Sequence, residues 1–404
     1  MKYDKINKNR NGESPIFSYR RNRMKKVIFD VDGVLLSEER YFDVSALTVW
    51  ELLYSKDYMG LPLEGEDFDA RHVTEGQIAS CRSRVWGQDR LLAFLKAHGI
   101  NSNWDMVHCW LITALWLMAL TYEKRSGGEK VSLTLEKPSD MKEAGLALMG
   151  LPVPEAEEIL AKWEAVIPSD LEGEDVVTCL QKAMAGDFGN GADWALLRSP
   201  FWTIHTETFQ AWYLGDDTFI SLLHHVPWSG GKEGFLSREV PLAPAEAIRS
   251  LFMRLKEKGF AIAVATGRAR EEMEIPFRLF HWYEEFDPLY LATASDAVEA
   301  AGLFHCPVPD KPAPFIFSCA LFGRKRENYE AYLKEEMKPA AGDEVYVCGD
   351  SYSDVLGSRR AGTKFIGILT GLEGKKEAAL FEREKVPYVD RITEIEKVID
   401  TPSV

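Results

Sequence analysis

The sequence contains no Cys-x-x-Cys pair and no group of cysteine and histidine at zinc-ligand spacing. Its six cysteines (Cys81, Cys109, Cys179, Cys306, Cys319, Cys348) are scattered. That pattern excludes a zinc module and a disulfide framework, and it is the pattern expected of free thiols in the cytoplasm. His224 and His225 are adjacent, which is the wrong spacing for joint ligation from one helix face. Basic residues are also in deficit: 48 Lys and Arg stand against 63 Asp and Glu, for a net charge of −15. This argues against a nucleic-acid or anionic-membrane partner, and it means that any anionic substrate must be met by a few local cations. No internal repeat or low-complexity tract is present. "SGGKEG" (229–234) lacks the earlier glycine and the Ser/Thr that a nucleotide phosphate loop requires, so it reads as part of a flexible return connection.

Residues 1–23 contain no apolar core segment and so do not form a secretory signal. They carry seven Lys/Arg against two acids; their net +5 leaves about −20 for the remainder. A disordered basic tail is expected there, with the fold beginning near Met24. One apolar stretch, "MVHCWLITALWLMALTY" (106–122), is a little short to span a bilayer and carries His108. Acidic, strongly patterned segments flank it, which makes it a buried helix of a helical domain rather than a membrane span.

With 404 residues, 46% of them hydrophobic, the chain can form two or three domains with real cores. A short apolar strand over about 26–30 opens the fold. From about 43 to 226, apolar residues recur at three-to-four spacing, as helices require, with Gly and Pro between the segments. After about 240 the pattern alternates. An amphipathic helix precedes the apolar run "FAIAVAT", a helix covers about 269–280, and the strand-like "LYLAT" follows at 289–293. A helix after "KPAP", the strands "VYVCGD" and "TKFIGIL", and a helical tail complete the chain. Strands alternating with helices predict an α/β fold with a Rossmann-like, doubly wound parallel sheet. The first strand belongs to that sheet, so the core comprises 24–38 and 241–404. Residues 39–240 form a large all-helical cap inserted after the first strand.

Ligands of open parallel sheets bind at the carboxyl ends of the strands. Four such ends here carry polar residues: "FDVDG" with Asp30 and Asp32; "VATGR" with Thr266, Gly267 and Arg268; "DKPAP" with Lys311; and "VCGDSYSD" with Asp350 and Asp354. Asp30, Asp350 and Asp354 make a hard, oxygen-rich set suited to Mg²⁺. Lys311 and such a cation would offset the acids and leave an electropositive slot for a phosphate. The Thr266 hydroxyl and backbone N–H groups would supply donors to its oxygens. Asp30 could then attack phosphorus and form an aspartyl phosphate. Asp32, two residues on, is in reach of the leaving oxygen as acid and then base. Each piece alone has a plain structural reading: a turn, a strand-to-helix junction, or a helix cap. Four in order, each after its strand, do not.

This order resembles the haloacid dehalogenase superfamily of aspartate-nucleophile phosphohydrolases. "VIFDVDGVL" is similar to its first motif, "IAVATG" to its second, Lys311 of "DKPAPFIF" to its third and "VYVCGDSYSD" to its fourth. The resemblance covers about 25–38 and 241–375. It implies Asp30 as nucleophile, Asp32 as acid/base, Thr266 and Lys311 as phosphate ligands, and Asp350 with Asp354 holding Mg²⁺. It also implies that Asp32 coordinates the metal through its backbone carbonyl. Dehalogenases of the family lack an acid at the Asp32 position, and its ion-pumping ATPases have lysine where Val31 stands. The first difference points to phosphoryl chemistry and the second separates the chain from the pumps; the expected activity is that of a phosphatase acting on a small phosphorylated metabolite. An insertion of about 200 residues is larger than is usual for such enzymes; the chain resembles bacterial members with oversized helical caps.

Other readings stay open. A phosphomutase would use the same aspartyl phosphate, and a binding protein could be built on the same core. In the cap, Trp202, His205, Phe209, Trp212 and Tyr213 either pack a core or line a pocket. Arg40, with Tyr41 beside it just past the nucleophile loop, is either a second contact to an anionic substrate or a solvated charge. Arg268 is expected to face the phosphate slot, where a strand-end arginine has an obvious partner.

Overall fold

The computed structural model describes residues 23–63, 69–100, 102–371 and 374–401. Residues 1–22 of the expected basic tail lie outside them. Six parallel strands form one sheet in the order β3-β2-β1-β4-β5-β6. These are β1 (Lys25–Phe29), β2 (Ala261–Ala265), β3 (Leu291–Ala292), β4 (Glu344–Gly349), β5 (Lys364–Ile368) and β6 (Tyr388–Val389). The chain builds outward from β1 to β3 on one side, then restarts with β4 on the other side of β1. The switch in strand order therefore lies between β1 and β4, where β1 Phe29 is in register with β4 Cys348.

Strands buried on both faces need apolar residues at every position, and the sheet meets that need with a division of labour. Val27, Phe29, Ile262 and Val264 pack into one cluster with the helices Ala245–Glu257 and Arg270–Leu279. Ile28, Ala263, Ala265 and Val347 face the opposite cluster, with the helices Ala294–Phe304, Phe315–Phe322 and Tyr352–Ala361. Helices on both faces make the sheet doubly wound. Lys26, an unexpected charge in β1, is buried and donates to the C-terminal carbonyls of Ala320 and Leu321 at 3.0 and 2.7 Å.

Between β1 and β2 the chain forms the large helical insertion, with its own hydrophobic cluster drawn from residues 41–236. Glu39–Tyr54 packs against the helices Glu75–Trp86, Asn103–Ser126 and Pro200–Leu214. Asn103–Ser126 is long and apolar enough to cross a membrane, yet 72% of its apolar window is buried inside the protein. The two connections run side by side. Leu36 bridges Pro241 in antiparallel fashion, Ser37 N–H donates to Val240 at 2.8 Å, and Leu242 N–H donates to Leu35 at 3.0 Å.

Three local expectations need correction. "LYLAT" yields only a two-residue strand, because Pro288–Tyr290 is a 3₁₀ turn. The tail is not wholly helical: it supplies β6, the edge strand. The "SGGKEG" connection is tied down rather than flexible. Its Lys232 is buried against Glu51 at 2.9 Å, and Gly231 and Lys232 N–H donate to Asp216 at 2.5 and 3.2 Å.

Candidate active site

Asp30 sits at the end of β1, where parallel pairing continues one residue further: its N–H donates to Cys348 at 2.9 Å. The side chain folds back to accept from Val31 N–H at 2.8 Å through Oδ1, which leaves Oδ2 facing Lys311 Nζ at 2.9 Å. The chain then turns at Gly33, whose φ is +68°. A Cβ there would lie 1.9 Å from Asp350 Oδ2, so only glycine lets this turn press against the acid of the neighbouring strand.

After β4, "SYSD" forms a capping box. Ser351 N–H and Oγ–H donate to Asp354 Oδ2 at 3.3 and 2.7 Å, and Asp354 N–H returns a bond to Ser351 Oγ at 3.2 Å. The box fixes the carboxylate so that Oδ1 points to Lys311 Nζ at 2.7 Å. Lys311 lies in the turn before Phe315–Phe322, not within the helix, and it bridges Asp30 and Asp354. Burial pushes the Asp30 carboxyl up to about 8; Lys311 opposes the shift, and Asp354 and Asp32 add to it. Burial likewise drives Asp350 well up, aided by Asp354, Glu38, Asp30 and Glu377. The two acids hold Lys311 above its ordinary value against the cost of its burial.

Asp30, Asp350 and Asp354 each place a carboxylate oxygen within 4.8 Å of the others. Three crowded hard donors, two of them pushed toward neutrality by burial and repulsion, fit a small divalent cation. Thr266 is buried at the end of β2 and Gly267 beside it is exposed; Thr266 Oγ1 accepts Arg268 N–H at 3.1 Å. Asp30, Asp32, Thr266, Gly267, Lys311, Asp350 and Asp354 thus all lie at the carboxyl ends of β1, β2 and β4 or in the turn before Phe315–Phe322.

A family model described as HAD-hydrolase-like matches residues 309–395, which include Lys311, Asp350 and Asp354. An X-ray structure solved by the Northeast Structural Genomics Consortium is 31% identical, covers 93% of this chain and 98% of that chain, and superposes with a TM-score of 0.77. The chain belongs to the haloacid dehalogenase superfamily. Pyrophosphatase PpaX of Bacillus mycoides is 26% identical over 151 residues, or 37% of this chain; the match spans only 57% of that relative's length. The YfnB hydrolase of Bacillus subtilis, solved with magnesium, is 12% identical over 94% of this chain and 100% of that chain. Its TM-score of 0.36 is too low to bear on this site.

This superfamily member departs from the expected site at Arg268. The residue reaches the site but does not face an open slot. Its Nε donates to Asp32 Oδ1 and Oδ2 at 3.0 and 3.2 Å, and its Nη2 to Oδ1 at 2.6 Å. Its Nη1 is shared among Tyr213 Oη, Glu239 Oε1 and the Glu272 carbonyl. Arg40 is also committed elsewhere, to Asp43 and Glu75, both at 3.0 Å. Of the aromatic stretch, His205, Phe209 and Trp212 are buried in the insertion, Trp202 is half-buried, and Tyr213 turns toward Arg268.

Sequence reasoning missed Glu239 and Glu272. Glu239 lies in the patternless "SREVPL". Glu272 reads as one of two generic acids in the first turn of Arg270–Leu279. A polar cleft of about 450 Å³ opens elsewhere, along Arg270, Ser295, Asp296, Arg324 and Arg326, and none of the four motifs' acids lines it.

Proposed function

We propose that the chain is a Mg²⁺-dependent phosphatase that hydrolyses a small phosphorylated metabolite through an aspartyl phosphate on Asp30. The observation that carries this reading is Lys311, held 2.9 Å from Asp30 and 2.7 Å from Asp354 beside the three-acid cluster. A cation bridging a nucleophile and a metal-binding acid is what an electropositive phosphate slot requires. The side chains of Asp30, Asp350 and Asp354, with the Asp32 carbonyl, would hold Mg²⁺, which supplies neutralising charge against the acids and the phosphoryl oxygens.

The chain's own groups perform the rest. Val31 N–H fixes one Asp30 oxygen, which leaves the other beside Lys311 as the attacking atom. Lys311 and Thr266 receive the phosphoryl oxygens. Asp32 gives a proton to the leaving oxygen, then takes one from the water that attacks the aspartyl phosphate. Closure of residues 39–240 over the strand ends would exclude bulk water. The test is phosphate release from a panel of phosphorylated metabolites, with Mg²⁺ or EDTA, by wild type and Asp30→Asn. Metal-dependent release that the substitution abolishes supports the reading; equal release by both proteins overturns it.

A further inference from the structure

The Arg268 side chain is 1% exposed, and its Nε, Nη1 and Nη2 each already donate to a protein oxygen. Besides the nearby Glu272 carbonyl, its partners come from three separate places. Asp32 belongs to the nucleophile loop, Tyr213 to the insertion's Pro200–Leu214 helix, and Glu239 to the returning connection, two residues before the bridge at Pro241. The ring of Tyr41, on the insertion's first helix, lies 4.8 Å beneath the guanidinium and stacks on Tyr213 with centroids 4.5 Å apart. Tyr41 and Gln210 also donate to the core's Glu272 at 3.1 and 3.3 Å. The arginine is thus a shared vertex between the cap's seat and the Asp32 carboxylate.

The charges make this vertex directional. The Glu239 side chain is wholly buried, and Arg268 is its salt-bridge partner. Tyr213 Oη–H donates to the same Glu239 oxygen that Arg268 reaches. Releasing Glu239 would leave a buried carboxylate uncompensated, which is costly. Asp32 is 27% exposed by comparison and can be rehydrated. Arg268 therefore stays with the cap side of the joint, and its fork sets where Asp32 points. A rotation about the paired connections at Leu36 and Pro241 would carry Tyr213 and Glu239 with it.

Building on the phosphatase reading, we infer that Arg268 is a positioning residue through which the seated cap, by Tyr213 and Glu239, orients the Asp32 carboxylate for proton transfer. In the step that depends on it, water oxygen bonds to phosphorus, the bond from phosphorus to the Asp30 oxygen breaks, and the water proton passes to Asp32. With a leaving group that needs no proton, loosening the Tyr213–Glu239 support leaves Asp30 able to be phosphorylated but delays hydrolysis of the aspartyl phosphate.

The experiment uses Tyr213→Phe and Glu239→Gln, neither of which touches the reacting atoms, with rapid mixing against 4-nitrophenyl phosphate in Mg²⁺. That leaving group departs without a proton, so the first half-reaction is spared. The expected result is a burst of about one nitrophenolate per site, followed by turnover ~10–100-fold below wild type, with KM changed by less than about threefold. Arg268→Lys should behave alike, since one ammonium cannot hold both Asp32 and Glu239. Folded variants with wild-type kcat and no burst, or with a change confined to KM, overturn the inference. A wild type that releases nothing, or an Asp30→Asn that matches it, sinks the phosphatase reading itself, which is a separately visible outcome.

Discussion

At the scale of single residues, the site depends on where oxygens are aimed. Asp30→Asn keeps the shape and removes the nucleophile; turnover of 4-nitrophenyl phosphate should vanish while the thermal melt stays that of wild type. Gly33→Ala tests the packing of the turn. Its methyl would meet Asp350 Oδ2 at 1.9 Å, in a backbone conformation with φ of +68°. A left-handed non-glycine residue alone costs about 1–2 kcal/mol. The larger effect should be on the metal, because Asp350 must move. A Mg²⁺ titration of activity should shift to higher concentration, and an unchanged titration would show that Asp350 is dispensable.

Between elements, one fully buried joint is the pair Lys232–Glu51, with side chains 0% and 1% exposed. It fastens the returning connection to the first helix of the insertion. Lys232→Met leaves Glu51 buried and uncompensated, a loss of about 3–5 kcal/mol in urea unfolding. Adding Glu51→Leu should recover much of that loss, because the second change removes the stranded charge; full additivity would contradict the pairing.

A second joint is the His108–His205 pair. His108 Nε2–H donates to the Ala195 carbonyl at 2.8 Å, so Nδ1 must accept from His205 Nε2–H, at 2.9 Å. That arrangement requires the His108 ring to be neutral, while His205 Nδ1 is buried with no partner to take a second proton. Burial pushes His108 down to about 4, and it drives His205 well down, helped by His108.

For the whole molecule, these two histidines give the helical insertion its own acid sensitivity. Their folded values lie below the unfolded value of about 6.5. Their contribution is therefore fully present above pH ~6.5 and is lost as pH falls from there through the folded values. The insertion and the sheet have separate hydrophobic clusters, so the insertion should loosen first. Ten of the eleven tryptophans lie between residues 39 and 240, so fluorescence reports on it almost alone. Tryptophan emission should red-shift between pH 6.5 and 4, and the double variant His108→Gln/His205→Gln should flatten that pH dependence. A transition unaltered in the variant would assign the acid sensitivity to other groups.

The α/β sheet, the insertion after β1 and the motifs at the ends of β1, β2 and β4 were legible because each is local; Lys311, expected at a strand end, instead follows the helix Ala294–Phe304. An apolar run ending in an acid declares a buried strand, and the acid's place on it follows from the strand's direction. The capping box that aims Asp354 is written within four consecutive residues. The short edge strands β3 and β6 were not legible as such, since two paired residues leave no periodicity to read.

What the sequence by itself determined was which chemical groups stand at the ends of the strands. Only the tertiary structure decided whom they face. Arg268 lies 236 residues from Asp32, and its choice of Asp32 and Glu239 over an open phosphate slot arises where the returning connection and two helices of the insertion close over it. No spacing rule spans that distance. A guanidinium is claimed by whichever carboxylates folding buries beside it, because a buried carboxylate without a counter-charge is the costlier alternative.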